Sequence, residues 1–254
     1  MSLNWKEIDL VLAELDLSGY QIQKVTQPAY DILVLDVYRT GTLRHILVSL
    51  TPGACRVHET SNEIPKPAKP LRFAEFMKSR IVNGWIDECV QLGSERIVRL
   101  TVRRGEERFY LYTRLWSNAA NMIVTGADHV ILDVMRRSPK RGEVGGAIYF
   151  PEEALSGKPA EAQAQPDAEA GGEKRRREYE VREYPKGSSF NAAIDAWYSE
   201  HANALSLEAL REQVKKIFST RMGRLEAAIY SLEKKLRAAQ DADQLKEQIG
   251  RAHV

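Results

Sequence analysis

The sequence is short of three things. Its 254 residues include two cysteines, no apolar run near the ~18 residues of a membrane span, and almost no net charge, with 37 Lys+Arg against 35 Asp+Glu. Each shortage excludes a class of protein. Cys55 and Cys89 stand 34 positions apart, with no CxxC and no histidine at zinc-ligand spacing. They read as reduced core thiols of a cytoplasmic protein, not as a disulfide framework or a metal site. The opening MSLNWKEIDL is acidic where a secretory leader would be basic and then apolar, so no membrane partner is expected. A formal charge of +2 does not advertise a nucleic-acid binder in bulk, and basic patches have to be sought locally. Residues 1–150 hold 20 basic and 17 acidic side chains; residues 151–254 hold 17 and 18.

Chemical signatures are missing as well. No GxGxxG follows a strand pattern, and GxxxxGK[ST], GxSxG and HExxH are all absent. Of the five histidines, His45 and His58 fall in strand patterns, His129 in a turn and His201 on a short helix. Strand histidines of this kind read as packing or pairing residues before bases or ligands. No catalytic residue, cofactor, metal or small-molecule substrate is expected, and the chain is read as a non-enzyme.

What is present is an alternation of short elements. Asn4 and Glu7 have capping-box spacing ahead of Ile8, Leu10, Val11, Leu12 and Leu15, which predicts an N-terminal helix ended by Ser18-Gly19. Strand patterns follow at 22–26, 32–38, 43–50 and 56–60, with Thr40-Gly41 as a hairpin turn between the second and third. Three prolines in IPKPAKP (64–70) predict an exposed extended connector. A second helix is expected over 73–82, closed by Asn83-Gly84, then strands at 85–91, 96–103, 109–114, 121–125 and 130–132. About nine strands and two helices define an α+β class rich in antiparallel sheet, over residues 1–150.

Composition changes after Tyr149. Residues 151–188 are rich in Pro, Glu, Ala, Gly and Lys, include the run Lys174–Arg177, and read as a disordered linker; 178–184 could add a strand back onto the first domain. Residues 189–248 are helical. Phe190, Ile194, Trp197 and Tyr198 mark a short amphipathic helix. Leu207, Leu210, Val214 and Ile217, then Leu225, Ile229, Leu232, Leu236 and Ala239, form a coiled-coil stripe interrupted by Arg221 and Arg224. The step from Arg221 to Leu225 is a stutter. Such a helix extends roughly 65 Å and needs a partner for its stripe. Residues 249–254, IGRAHV, have no helical logic and match the in-frame translation of ATC GGA AGA GCA CAC GTC, a sequencing-adapter read. They are expected to be a non-native tail on a gene cut short.

Two groups of polar residues suit nucleic acid. Arg99, Arg103, Arg104 and Arg108 cluster on one hairpin, and Arg136, Arg137, Lys140 and Arg141 flank Ser138-Pro139 in a loop. Long cations around a loop can hold phosphates by charge-assisted hydrogen bonds without reading sequence; solvated loop charge is the equal alternative. At a strand entrance stands Glu95-Arg96, which reads first as a structural ion pair.

The order LSGYQIQKVTQP, PLRFAEFMKSRIVNGWI, QLGSERIVRL and LWSNAANMIV, with SSFNAAIDAWYSEHA leading into the charged helix, resembles the NFACT family. That family includes bacterial RqcH and eukaryotic NEMF-type ribosome quality control factors, also labelled fibronectin-binding protein A homologues. The resemblance implies an NFACT N-terminal domain that binds tRNA (alanyl-tRNA in bacterial members) and the large ribosomal subunit with its rRNA, promoting C-terminal tailing of stalled nascent chains. It implies a cytoplasmic location and a required acid–Arg pair, which falls on Glu95 and Arg96; Glu95 stands where the family usually has Asp. Gln27 and Asn121 match polar family positions. The linker is too short and too polar for the helix-hairpin-helix domain of many bacterial members, and the second coiled-coil arm and C-terminal domain are expected to be missing. Two other readings follow from the same resemblance. A DNA glycosylase relation lacks the N-terminal Pro-Glu pair its chemistry needs, since the chain begins Met1-Ser2-Leu3. A fibronectin-binding surface adhesin would need an export signal.

Overall fold

Nine of the short β-type runs become strands, and they join into one continuous antiparallel meander. The computed structural model describes residues 2–67, 69–151 and 179–251. The strands are β1 (Gln21–Ala29), β2 (Ile32–Arg39), β3 (Thr42–Ser49), β4 (Arg56–Glu59), β5 (Trp85–Gln91), β6 (Ile97–Arg104), β7 (Glu107–Arg114), β8 (Asn121–Gly126) and β9 (Ile131–Val134). Their spatial order is β4-β3-β2-β1-β5-β6-β7-β8-β9. The β2–β3 hairpin turns on Thr40 and Gly41, both at positive φ (46° and 82°), the geometry that matches strand twist in a two-residue loop.

The weak point of the meander shapes the domain. β1 and β5 share one register pair, Gln21 with Trp85, so the sheet folds there into two halves that face each other. Leu35, Ile46 and Val57 from one half and Val98, Leu100 and Leu111 from the other surround one residual void of about 10 Å³. That is at the threshold for a single water, so the core is close-packed. On the other face of β6–β9, Leu92, Ile97, Tyr112, Ile123, Ile131 and Val134 form a second buried cluster. The chain after β9 covers it with Ala147 and Tyr149, anchored by the Val130–Ile148 bridge.

Helices close the edges. α1 (Trp5–Leu15) has the capping box at Asn4 and Glu7 and buries Ile8, Val11 and Leu15. It ends earlier than the Ser18-Gly19 signal indicates, because Asp16 takes the left-handed conformation (φ 38°) and its N–H bonds back to the Leu12 carbonyl. α2 (Arg72–Arg80) packs on β1 and β9. Its N-cap, Leu71, has no side chain able to cap, and the Gln27 side chain fills that role by accepting from the Ala74 N–H at 3.2 Å.

The region after the linker departs most from expectation. Residues 152–178, most of the expected linker, lie outside the described residues. Residues 179–184 are not a strand. They attach through α1's cap, where Glu7 Oε1 accepts from the Arg182 N–H (3.1 Å) and Nε (2.7 Å) and the Glu180 carbonyl accepts from Asn4 Nδ2 (2.8 Å). A side-chain cap offers discrete partners here and no free ladder.

α3 (Phe190–Glu200), grouped by its sequence with the coiled-coil arm, packs instead on α1 and β4, and the first unit extends to Ala202. The reason is polar as well as apolar. Phe190, Ile194 and Tyr198 are buried, and Glu14 of α1 accepts from the Phe190 and Asn191 N–H groups (2.6 and 3.0 Å), acting as the anion at α3's N-terminus. Asp195 accepts from the Ser61 N–H (3.0 Å) and Asn62 Nδ2 (2.9 Å), and lies 3.2 Å from Nε2 of the buried His58. Burial opposes the charge on Asp195, but hydrogen bonds from His58, the Ser61 N–H and Thr60 outweigh it and hold the carboxyl well below its usual range.

The second unit begins at Asn203, within α4 (Ala202–Arg251), one 50-residue helix. It continues through 249–251, which the expected tail had placed outside any helix; 252–254 lie outside the described residues. Along it Val214, Ile217, Phe218, Leu225, Ile229, Leu232 and Leu236 are each more than half exposed. No helix among the described residues is long and apolar enough to cross a membrane.

Two outcomes follow. A Cβ at Gly84, where α2 passes into β5, would stand 2.5 Å from Val102 Cγ1 and 2.8 Å from the Ile81 carbonyl oxygen, which cannot yield. Gly84→Ala is therefore expected to lower stability by about 1–3 kcal/mol, seen as a reduced urea midpoint with unchanged slope. The exposed α4 stripe is expected to drive self-association, so light scattering should give a mass above the 28.8 kDa monomer that falls on dilution.

Candidate nucleic-acid interface

Three loops meet at the end of the sheet where β6 begins. The first joins β5 to β6. Gly93 takes φ 56°, the Leu92 N–H donates to the Ile97 carbonyl (2.9 Å) and the Glu95 N–H to the Leu92 carbonyl (3.1 Å), which sets Glu95-Arg96 at the strand entrance. The second, after β7, is tied to the first by the Leu115 N–H donating to the Arg96 carbonyl at 2.8 Å. The third follows β9 and carries Arg136, Arg137, Lys140 and Arg141; a short 3-10 turn over Pro139–Arg141 is closed by Gly142 at φ 68°.

A buried polar cluster fixes the third loop. Asn121, fully buried at the start of β8, accepts from the Arg136 N–H (2.9 Å) and donates to the Arg136 carbonyl (2.8 Å) and to Glu143 Oε2 (2.7 Å). The Glu143 side chain is 2% exposed and is bonded by Arg114 Nη2, itself 7% exposed, and by Arg141 Nε at 3.0 Å. Arg114 also donates to the Ala119 carbonyl (2.8 Å) and lies over the Trp116 ring, so the second loop is locked to the same cluster. Burial would raise the Glu143 carboxyl, but hydrogen bonds from Arg141, Arg114 and Asn121, with the Arg114 charge, hold it below its usual range.

The site residues expected from the sequence come together around this cluster. Glu95 is buried and Arg96 half-buried. Arg96 and Arg136 are both felt by the buried Cys55 thiol: burial pushes that thiol up, opposed by the Ser2 hydroxyl and then by the charges of Arg96 and Arg136. Arg137 and Lys140 are exposed and have no ion-pair partner among the described residues, whereas Arg141 is engaged by Glu143. The other basic group behaves differently. Arg99 pairs with Glu88, Arg103 with Asp87, and Arg104 donates to the Ser79 carbonyl, so these cations are held locally. Gln27 caps α2 and Asn121 positions Arg136, which gives both a structural part. Sequence reading missed Arg114 and Glu143. A charge at the inner end of a strand and a glutamate after Gly142 were the signals available, and neither distinguishes a buried pair from a surface one.

Residues 8–170, well over half of the chain, match the NFACT N-terminal and middle domains, and the chain belongs to that family. Its relatives include ribosome quality control factors. The Rqc2 homolog RqcH of Bacillus subtilis (strain 168) is 27% identical over 126 residues, covering 47% of this chain and 22% of the relative. The human ribosome quality control complex subunit NEMF is 26% identical over 153 residues, covering 58% and 14%. The match thus spans less than a quarter of either relative's length. Among solved structures, the N-terminal part of the fibronectin/fibrinogen-binding protein from Streptococcus suis superposes with a TM-score of 0.55 at 23% identity, covering 59% of this chain and 61% of that one. The fibrinogen binding protein from Staphylococcus aureus gives 0.54 at 17% identity, over 79% and 82%. These two share the fold.

Glu143→Gln leaves Arg114 buried without a counter-charge, and is expected to cost about 3–5 kcal/mol. The wild-type contribution is complete above the unfolded carboxylate pKa of about 4.3 and is lost as pH falls through the lower folded value. Urea unfolding from neutral pH down to about pH 3 should therefore show stability falling with acid in the wild type and a shallower fall in Glu143→Gln.

Proposed function

We propose that this chain is the tRNA-holding N-terminal part of a ribosome quality control factor, acting by binding and not by catalysis. It holds tRNA, alanyl-tRNA by family resemblance, and docks on the large ribosomal subunit and its rRNA to promote C-terminal tailing of stalled nascent chains. α4 supplies the first arm of a coiled coil, and the protein works in the cytoplasm. The observation that supports this reading most directly is that the segment with Glu95-Arg96 and the loop with Arg136, Arg137 and Lys140 lie at one end of the sheet, inside the stretch that matches the family. Arg96 is the bidentate donor suited to phosphate or a base edge. Glu95, one methylene longer than the usual Asp, orients it or accepts from a nucleotide hydroxyl. The loop cations add contacts that position the RNA without reading it.

Co-sedimentation with large ribosomal subunits, followed by sequencing of the bound tRNA, tests the proposal. Arg96→Ala is expected to reduce tRNA recovery about tenfold or more, the loss of a charge-assisted hydrogen bond. With about four cations on phosphates, the log of the binding constant should fall against log salt with a slope of roughly −3. Unchanged recovery with Arg96→Ala would falsify the site. The same protein applied to immobilised fibronectin examines the adhesin reading that the names of the solved neighbours bring.

A further inference from the structure

The loop after β9 has a second side. There Arg137 lines an open cleft of about 310 Å³ together with Tyr30, Gln27, Arg72 and Phe73. We infer that this cleft holds one unpaired nucleotide of the bound RNA, its base stacked on Tyr30 and its phosphate on Arg137. The inference rests on the RNA-binding reading above and extends it to a site that the acid–Arg pair does not reach.

The walls are fixed before any ligand arrives. Tyr30 occupies the two-residue turn between β1 and β2 and is 64% exposed, an aromatic ring offered to solvent. Its backbone does not share that freedom. The Tyr30 carbonyl accepts from Gln27 Nε2 (3.3 Å), while the next residue, Asp31, accepts from the Leu50 N–H (2.7 Å) and the Thr51 hydroxyl (2.6 Å). The same Gln27 amide reaches the first turn of α2, so one side chain ties the Tyr30 turn to the helix that forms the opposite wall. Phe73 is buried and supplies an apolar floor.

The charges are uneven. Arg72 is paired with Asp133 and donates to the Val134 carbonyl, so its charge is balanced on the spot. Asp31 is engaged by Thr51. Arg137 is left as an exposed cation with no carboxylate partner among the described residues. A ring and an uncompensated guanidinium on one concave surface are what a single-stranded nucleotide needs, since every base has a π-face and every linkage a phosphate. The volume lies at the lower limit of small-ligand pockets, about 300–1,000 Å³, which admits one unstacked nucleotide and no duplex. Arg137 directly follows Arg136, so RNA held at Arg96 and Arg136 can continue into the cleft.

Fluorescence anisotropy of the full chain with labelled octauridylate, a labelled RNA duplex and total tRNA decides the matter. Tyr30→Ala is expected to weaken octauridylate binding about 5- to 100-fold, the range for a lost base–aromatic stack, and to leave the duplex unaffected. Tyr30→Phe should stay within about twofold of wild type, because the ring and not the hydroxyl is used. Arg137→Ala should lower the single-strand salt slope by about 0.7. Wild-type octauridylate affinity in Tyr30→Ala, equal losses in Tyr30→Ala and Tyr30→Phe, or equal losses on duplex and single strand would each overturn the cleft assignment. If Arg96→Ala still loses tRNA in that case, the function proposed above stands without it. A wild-type chain that binds none of the three RNAs overturns both.

Discussion

The loop architecture at the candidate site depends on one buried carboxylate. Glu143 is the shared acceptor for a strand arginine, a strand asparagine and a loop arginine, and it brings the segments after β7 and β9 to the start of β6. A buried charge of this kind contributes little net stability, because desolvation offsets the attraction. Its effect is on geometry. With Arg114 and Asn121 both committed to Glu143, the Arg136 backbone has one place to go, and the cations that follow it are presented at a defined distance from Arg96. A hydrophobic substitute could match the stability and would not specify that arrangement.

The second constraint is the fold in the sheet. Because β1 and β5 touch through a single register pair, the two halves close on a common core, and loops far apart in sequence converge. Arg136 donates to the Leu50 carbonyl, 86 positions away, and Ser2 lies beside Ser117. The candidate interface is therefore a product of tertiary closure. No continuous stretch of sequence contains it, which is why a chain with net charge +2 can still assemble a local cationic surface.

Much of the domain was legible in the sequence where local chemistry dominates. The Asn4–Glu7 capping box, the Thr40-Gly41 hairpin and the nine strands follow from periodicity and turn residues, and the strand ends differ from expectation by three residues at most. Legibility failed where distant partners decide. Nothing local indicates that Asp16 will close α1, that 179–184 will attach to a helix cap in place of a sheet edge, or that α3 will leave the long helix to pack on α1. Each depends on groups roughly 170 or more positions away, or on a single left-handed residue. For the site, Glu95 and Arg96 came from family resemblance, the loop cations from composition, and Arg114 and Glu143 from neither. The Tyr30 cleft combines residues from three separate segments and has no linear signature.

The attachment of α3 to α1 also sets a schedule. Glu14 and Glu7 on α1 find distant partners at residues 189–191 and at Arg182, so these carboxylates stay without those partners until the chain has grown by about 175 residues beyond them. At the usual elongation speeds, about 5–20 residues per second, that wait is roughly 10 to 35 s. Until then the N-terminal helix can pack its apolar face but cannot complete its polar contacts. The domain is thus closed last by the segment that leads into α4, and a nascent chain halted before residue 190 would carry an open one.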